Sequence, residues 1–286
     1  MKAELRNVDG EPVLRFERVF PHPPARVWRA VSDPERLRQW FPAAVTIDGD
    51  AMAFTLPGST TAGEVLELDP PRVFAFRWDT EVLRFEVGPH AEGSLLVFTN
   101  VIDNEPAAGR TAAGWDSCLD ALAARLDGAV AVPPEDWLAP METYVHRFGL
   151  DAGAVVDGEV RFTRDLVWKP LDTVWALFTG GAEGLPTRAW NAVVPPGPVV
   201  EAGPPALAFD SPTGRVRWTF RHDPRRGTAV DLAHAVVDPA FVPRALAAWH
   251  AHLDLFFAAT FGVERPWPAE RVADLVERYR ASSAIR

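Results

Sequence analysis

The chain repeats itself, and this repeat is the feature that most constrains its fold. Segments of the first half recur in the same order in the second half, first 146 to 147 residues later and then 134 to 131 residues later. Clear pairs are Val27-Trp28 with Val174-Trp175, Pro70-Pro71 with Pro204-Pro205, and Leu119-Asp120 with Leu253-Asp254. We therefore predict two tandem copies of one fold. The second copy lacks about a dozen residues between its first helix and its middle strands.

The start of the second copy gives the predicted domain boundary. Its first strand begins shortly after residue 156, so we assign residues 1–150 to the first domain and residues 151–286 to the second. Each domain is predicted to end in a tail helix. A chain of 286 residues is long enough for two domains of ordinary size. Duplication also predicts that the domains pack through related surfaces as an internal pseudo-dimer.

Each copy is predicted to contain a strand, short helices, a run of antiparallel strands and one long helix. Residues 13–20 alternate between apolar and polar side chains, as a half-buried strand does. A long helix is predicted over residues 108–127, because Trp115, Cys118 and Leu122 fall on one stripe. This order predicts an α+β fold in which a curved antiparallel sheet wraps around the long helix.

The first copy resembles a known family. The resemblance rests on VWRAVSDPERLRQWF at residues 27–41, on residues 63–67, on Phe76-Arg77-Trp78 and on Gly114-Trp115. These segments are similar to bacterial proteins related to the activator of the heat-shock protein 90 ATPase, within the SRPBCC (START, Bet v 1-like) superfamily. The second copy is less similar, because its shortened middle affects one or two strands of the sheet. Trp190 is the candidate replacement for Trp40.

The resemblance implies two helix-grip domains, each with a cavity between its sheet and its long helix. Superfamily members typically hold a hydrophobic small molecule in that cavity. Some of them, such as the polyketide aromatase/cyclases, use it for catalysis. Because one fold carries many functions, the site residues have to be argued from this sequence as well.

The last strand of each copy is predicted to place a polar side chain in the interior. In the second copy Val230, Leu232, His234 and Val236 form the bulky face, so His234 points inward. The repeat places Asn100 at the matching position of the first copy. In the family that the sequence resembles, a histidine often occupies this position.

The long helix of the second copy carries another histidine on its apolar stripe. His252 follows Trp249 by three residues and matches Cys118 of the first copy. An imidazole can transfer protons near neutral pH, so His234 and His252 are the candidate catalytic residues if the protein is an enzyme. The alternative is that both are buried structural histidines satisfied by hydrogen bonds. No metal site is expected, because no third ligand accompanies the two.

The candidate ligand-binding set joins these polar positions to aromatic and apolar side chains, the usual lining of a small-molecule site. Its members are Trp40, Phe85, Phe98, Asn100, Trp115, Cys118, Trp218, His234, Trp249, His252 and Phe256. No cofactor is expected. The glycine-rich residues 180–184 follow a helical stretch rather than a strand, so they predict a loop and do not support nucleotide binding.

Charge and hydropathy narrow the classes of partner. The net charge is −10, and residues 1–150 account for −9 of it, which argues against a nucleic-acid surface. No run of about 18 apolar residues predicts a membrane span. No signal peptide is evident, so a cytoplasmic location is the expectation.

Three functions remain open from the sequence. The favoured function is binding of a small hydrophobic ligand, because no recognised catalytic motif is present. The second is a cyclase, aromatase or hydrolase that uses His234 and His252 on a hydrophobic substrate. The third is a co-chaperone-like module that binds a protein partner. The different interior polar residues of the two copies predict that they no longer do the same job.

Overall fold

Two units make up the chain, Met1–Phe148 and Gly149–Arg286. The computed structural model describes residues 3–180 and 188–283. The division between the units lies two residues before the boundary assigned from the repeat. Of the glycine-rich residues 180–184, Gly180 ends a helix in the left-handed conformation, and the others lie outside the described residues.

The first unit contains an antiparallel sheet of eight strands. In chain order they are β1 (Glu4–Val8), β2 (Glu11–Phe20), β3 (Ala44–Asp48), β4 (Ala51–Leu56), β5 (Ser59–Asp69), β6 (Val73–Trp78), β7 (Glu81–His90) and β8 (Gly93–Val101). Their spatial order is β1-β2-β8-β7-β6-β5-β4-β3. Along β8, Leu96, Phe98 and Asn100 are buried, so the predicted inward face is confirmed.

Four α-helices accompany this sheet. They are α1 (Pro24–Ser32), α2 (Pro34–Leu37), α3 (Ala108–Leu126) and α4 (Leu138–Phe148). Asp33 starts α2 by accepting a hydrogen bond from the Glu35 amide. Trp115, Leu119 and Leu122 bury one stripe of α3, which confirms the predicted long helix. Gly109 allows α4 to approach α3 closely, because a Cβ there would lie 2.7 Å from Val145 Cγ2.

The second unit contains an antiparallel sheet of six strands. In chain order they are β9 (Ala154–Val156), β10 (Glu159–Asp165), β11 (Val199–Gly203), β12 (Ala206–Ser211), β13 (Gly214–Asp223) and β14 (Gly227–Val236). Their spatial order is β11-β12-β13-β14-β10-β9. The helices are α5 (Leu171–Thr179), α6 (Val242–Thr260) and α7 (Ala269–Ser283).

The two units share one topology, and the second is shorter where the sequence offset changes. Within its described residues, the second unit has no counterpart of α2, β3 or β4. The α+β helix-grip fold and its tandem layout are thereby confirmed. Strands β5 and β11 even carry a bulge at matching positions, between Val65 and Glu67 and between Val199 and Glu201. The short first strands, β1 and β9, were not predicted from the sequence.

None of the described helices combines the length and the hydropathy that a membrane-spanning helix requires.

Candidate functional site

Aromatic rings fill the space between the first sheet and α3. Phe85 and Phe98 stack with their ring centroids 4.6 Å apart, and Trp115 meets Phe98 edge-on at 4.8 Å. Trp40 meets Phe85 edge-on at 6.0 Å. Phe85 and Phe98 are fully buried. Phe85 and Phe98, both predicted to line a cavity, are therefore packed core residues. Trp40 and Trp115 pack against them.

The second unit has an equivalent aromatic core. Trp218 lies 5.6 Å from Trp249 and 6.2 Å from Phe256, measured between ring centroids. The Trp218 indole N–H donates to the carbonyl oxygen of Ala189 at 3.0 Å. All three aromatic side chains are buried, so they too are core residues of their unit.

Each core contains one strand residue that accepts a hydrogen bond from the tryptophan of the long helix. In the first unit, Trp115 Nε1 donates to Asn100 Oδ1 at 2.8 Å. In the second unit, Trp249 Nε1 donates to His234 Nδ1 at 3.2 Å. Asn100 and His234, which match in the repeat, therefore accept the same indole hydrogen bond, one through an amide oxygen and the other through an imidazole nitrogen.

Burial sets the protonation of these polar groups. Asn100 Nδ2 donates to Glu81 Oε2 at 3.0 Å, and burial raises the pKa of the Glu81 carboxyl. Burial lowers the pKa of His234 to about 4, although its contact with Thr213 acts in the opposite direction. Since Nδ1 accepts from Trp249, the neutral ring carries its proton on Nε2, 3.3 Å from Thr213 Oγ1. Both nitrogens of His234 are therefore engaged at neutral pH.

His252 also lies beside the Trp249 ring. Its Nε2 donates to the carbonyl oxygen of Arg188 at 2.8 Å. Burial lowers its pKa to about 4. The ring centroid of Trp249 is 6.2 Å from that of His234 and 5.5 Å from that of His252. One indole therefore contacts both histidines that the sequence singled out.

A groove of about 470 Å³ lies beside α3 in the first unit. We call it the first groove; it is lined by Trp40, Pro42, Thr111, Gly114, Trp115, Ser117, Cys118, Ala121, Pro133 and Trp137. Three of the predicted lining residues, Trp40, Trp115 and Cys118, are thus brought together. Burial raises the pKa of the Cys118 thiol to about 11, so the thiol is protonated at neutral pH.

A smaller groove of about 200 Å³ lies beside α6 in the second unit. This second groove is lined by Arg188, Trp190, Asn191, His252, Leu255, Phe256, Glu264, Arg265 and Trp267. Two predicted residues, His252 and Phe256, lie on its wall. Arg188 and Glu264 form an ion pair at 2.6 Å.

The two grooves occupy equivalent places. Cys118 and His252 match in the repeat, and one lines each groove. A tryptophan shortly before each tail helix, Trp137 or Trp267, lines the groove of its unit. Trp40 and Trp190 likewise each line one groove. Trp137 and Trp267 were not identified as lining residues from the sequence. Their similar positions in the two copies, just before the tail helices, were the signal that could have identified them.

The ion pairs that join the second strand of each unit to its long helix were also not predicted from the sequence. In the first unit, Asp116 accepts from Arg18 on one oxygen and from the Tyr144 hydroxyl at 2.7 Å on the other. The Tyr144 oxygen also accepts from the backbone N–H of Ala3 at 3.3 Å. These contacts join β2, α3, α4 and the N-terminal segment.

In the second unit the corresponding charges are more deeply buried. Arg164, at the position equivalent to Arg18, donates to Asp254 at 2.6 Å, and Arg271 donates to the other Asp254 oxygen at 2.6 Å. His250 Nδ1 lies 2.9 Å from the Tyr279 hydroxyl, whose oxygen accepts from the Gly153 N–H at 3.0 Å. By these contacts Tyr279 is the structural counterpart of Tyr144. The sequence repeat instead matched Tyr144 with Leu275, which lies one helical turn before Tyr279.

Comparison with known proteins identifies the family of the first unit. Residues 21–127 match a family model described as Activator of Hsp90 ATPase homolog 1-like protein. The first unit carries a domain of this family. The matched segment runs from just before α1 to the end of α3, so this Hsp90-activator-like domain includes Trp40, Trp115 and Cys118 of the first groove.

Several solved structures are similar to parts of the chain. A conserved protein of unknown function from Enterococcus faecalis is 22% identical, with a TM-score of 0.46, and the match covers 52% of this chain and 91% of that one. CalU16 from Micromonospora echinospora is 20% identical, with a TM-score of 0.43 and coverage of 51% and 93%. DynU16, a protein in the dynemicin biosynthetic locus, is 20% identical, with a TM-score of 0.41 and coverage of 87% and 98%. No curated protein matches the chain in sequence.

Proposed function

We propose that the first unit binds an uncharged, hydrophobic small molecule in the first groove. The observation that carries the proposal is the lining itself: three indoles, two prolines and small helix residues line a groove of about 470 Å³. Small-molecule sites usually measure about 300 to 1,000 Å³ and are lined by apolar and aromatic side chains. Trp40 and Trp115 are held by the aromatic core behind them, so two walls are already formed without a ligand.

The chemistry of the lining favours binding over catalysis. Among the described residues that line the first groove, none is acidic, basic or a histidine. Cys118 is a neutral thiol at physiological pH and therefore a weak nucleophile. Thr111 and Ser117 are polar groups able to orient a ligand by hydrogen bonds. The groove thus offers contact area and orientation, with no group suited to move a proton near neutral pH.

The second groove is proposed to exclude the same ligand. Its walls include two arginines, a glutamate and an asparagine, and its volume is less than half that of the first groove. An apolar molecule placed there would take these charged and polar groups out of water and offer them no hydrogen bonds in return, which costs free energy. This agrees with the prediction that the two copies have different jobs.

Fluorescence of a neutral probe, N-phenyl-1-naphthylamine, tests the proposal. We expect binding to the full chain, and we expect Trp137→Ala to weaken it by tenfold or more, because an indole wall contributes about 1.5 kcal/mol or more when a ligand buries it. The matched control is Trp267→Ala, which removes the equivalent indole from the second unit. The control should leave the affinity unchanged.

A filling substitution separates loss of the site from loss of the fold. A Cβ added at Gly114 meets no atom within 4 Å, so Gly114→Leu projects into the first groove without displacing the core. Leucine also favours the helix over glycine. We expect the variant to fold and to bind the probe at least tenfold more weakly. Unchanged binding to Gly114→Leu, or equal losses in Trp137→Ala and Trp267→Ala, would contradict the proposal.

A further inference from the structure

Four arginines surround a separate cavity of the first unit, where α1, α2 and the end of α3 meet. This cavity measures about 310 Å³ and is lined by Arg26, Arg29, Ala30, Arg36, Gln39, Trp40, Leu122, Arg125 and Leu126. We call it the arginine pocket. It shares Trp40 with the first groove but none of that groove's other lining residues.

The arginine pocket is a local exception in an acidic unit. Most other arginines of the first unit are neutralised by carboxylates: Arg6, Arg15, Arg18, Arg38, Arg72, Arg77 and Arg84 all form ion pairs. Among the described residues, none of the four pocket arginines has a carboxylate partner, and no carboxylate lines the pocket. Four like charges around one cavity repel one another, and a bound anion would relieve that repulsion.

Three of the four pocket arginines donate hydrogen bonds to backbone carbonyls, and these bonds leave donors unused. Arg26 donates to the carbonyl oxygen of Leu126, and Arg125 Nε donates to that of Gln39 at 3.2 Å. Arg29 Nε donates to the Ala25 carbonyl at 3.3 Å. Each guanidinium has five N–H groups, so several donors per side chain remain. The hydrogen bond to the last carbonyl of α3 gives Arg26 a structural role. Arg29 and Arg36 make no such bond to α3 in the described structure.

We propose that the arginine pocket binds the phosphate or diphosphate group of a soluble small molecule. Guanidinium groups match phosphate oxygens in pairs of parallel hydrogen bonds, and four of them match a group that carries more than one negative charge. Leu122, Leu126 and Trp40 supply an apolar wall for the rest of the molecule. The concave shape favours a small ligand over an extended surface.

The second unit supplies an internal comparison, because the repeat gives positions that match three of these arginines. The repeat matches Arg26, Arg29 and Arg125 with Thr173, Ala176 and Ala259. Three of the four charges are therefore absent at the equivalent positions. One binding site per chain is the expected stoichiometry.

Isothermal titration calorimetry of the full chain with pyrophosphate, at constant ionic strength, tests the proposal. We expect one site per chain and at least a tenfold loss of affinity in the double variant Arg29→Gln/Arg36→Gln. Within the part of the chain that the structure describes, neither side chain donates a hydrogen bond to another element of the fold. Arg29 bonds only the Ala25 carbonyl of its own helix, so the variant should stay folded. The control is Arg72→Gln, which removes an arginine from the exposed β5–β6 turn and should bind normally.

Three results would overturn the proposal. One is binding of pyrophosphate that the double variant and Arg72→Gln share equally. Another is tighter binding of the tricarboxylate citrate than of pyrophosphate, since the site would then select carboxylates. The third is sedimentation of the chain with phosphatidic acid vesicles that the double variant abolishes, since the phosphate would then belong to a lipid headgroup. The two sites share only Trp40, and the variants that test them lie at other residues, so this proposal and the proposed function can fail separately.

Discussion

The grooves beside α3 and α6 occupy equivalent places in two copies of one fold, yet they differ in size and polarity. The first measures about 470 Å³ and has apolar walls, while the second measures about 200 Å³ and contains an arginine–glutamate ion pair. The positions that frame both are alike, including a tryptophan before the tail helix. The fold therefore determines where the groove lies and which positions line it. The polarity of the groove depends on the side chains at a few of those positions, such as Cys118 in one unit and His252 in the other.

A second contrast lies beneath the long helices. Both units join the second strand to the long helix by an arginine–aspartate pair, but the aspartate is Asp116 in one and Asp254 in the other. In the repeat, Asp254 matches Asp120, so the ion pair has moved by one helical turn. The moved pair is also more buried, with side-chain exposures of 3% and 8% against 14% and 26%.

Among single substitutions, the largest expected effect comes from removing the more buried carboxylate. Asp254→Ala leaves the Arg164 guanidinium buried without its partner, which we expect to lower the free energy of unfolding by about 3–5 kcal/mol. Asp116→Ala should cost less, about 1–2 kcal/mol, because Arg18 is closer to water. Urea unfolding, with hydrogen exchange measured on peptides of each unit, gives both values.

A compensating substitution shows whether the orphaned charge is the cause. Arg164→Met added to Asp254→Ala removes that charge and should recover part of the lost stability. Equal losses in Asp254→Ala and Asp116→Ala, with no recovery in the double variant, would remove the distinction between the two units.

Acid is expected to destabilise the second unit before the first. His234 and His252 have pKa values of about 4 in the folded state, below the ordinary histidine value, so the unfolded state binds more protons between about pH 6.5 and pH 4. The folding free energy that the neutral histidines contribute is complete above about pH 6.5 and is lost as the pH falls to about 4. The loss is on the order of 3 kcal/mol per histidine. In the first unit, the raised pKa of Glu81 acts in the opposite direction.

Hydrogen exchange at pH 6.5 and pH 4.5, corrected for intrinsic exchange rates, measures this difference. Peptides from β13, β14 and α6 should lose protection at the lower pH, whereas peptides from β7, β8 and α3 should change less. Equal losses of protection in the two units would show that the histidines do not control their stability.

The smallest effect is expected when one unit is given the polar residue of the other. In His234→Asn, the amide oxygen is placed to accept from Trp249 as Asn100 accepts from Trp115, so the unfolding free energy should fall by only about 1 kcal/mol. His234→Ala leaves the indole N–H unpaired and should cost about 2–3 kcal/mol. Urea midpoints decide between these outcomes, and an Asn variant as unstable as the Ala variant would refute a shared structural role.

Much of the fold was accessible from the sequence because it follows from periodicity. The change of offset predicted the shortened second sheet, and the alternation along the last strands predicted which side chains point inward. The helical stripe through Trp115 and Leu122 predicted α3 nearly to the residue. Each of these inferences depends on spacing along one element, which the sequence displays directly.

The parts that escaped prediction depend on distances between elements. Parity shows that Phe85 and Phe98 face inward, but it does not show that their rings fill the space and leave the open volume beside the helix. The one-turn shift from Asp120 to Asp254 keeps the same helix face, so periodicity cannot detect it. The arginine pocket joins α1, α2 and α3, and its four charges are unremarkable when read along the chain.

The bulge shared by β5 and β11 has a different consequence in each copy. In the first sheet β5 lies between β4 and β6, whereas β11 is the last described strand at its end of the second sheet. An outermost strand offers free backbone donors and acceptors to other chains, which invites aggregation. The bulge between Val199 and Glu201, together with the exposed Glu201–Arg217 ion pair, makes that border irregular and charged. A bulge leaves a residue out of the regular backbone pairing, so at this border it also makes the strand a poorer template for another chain.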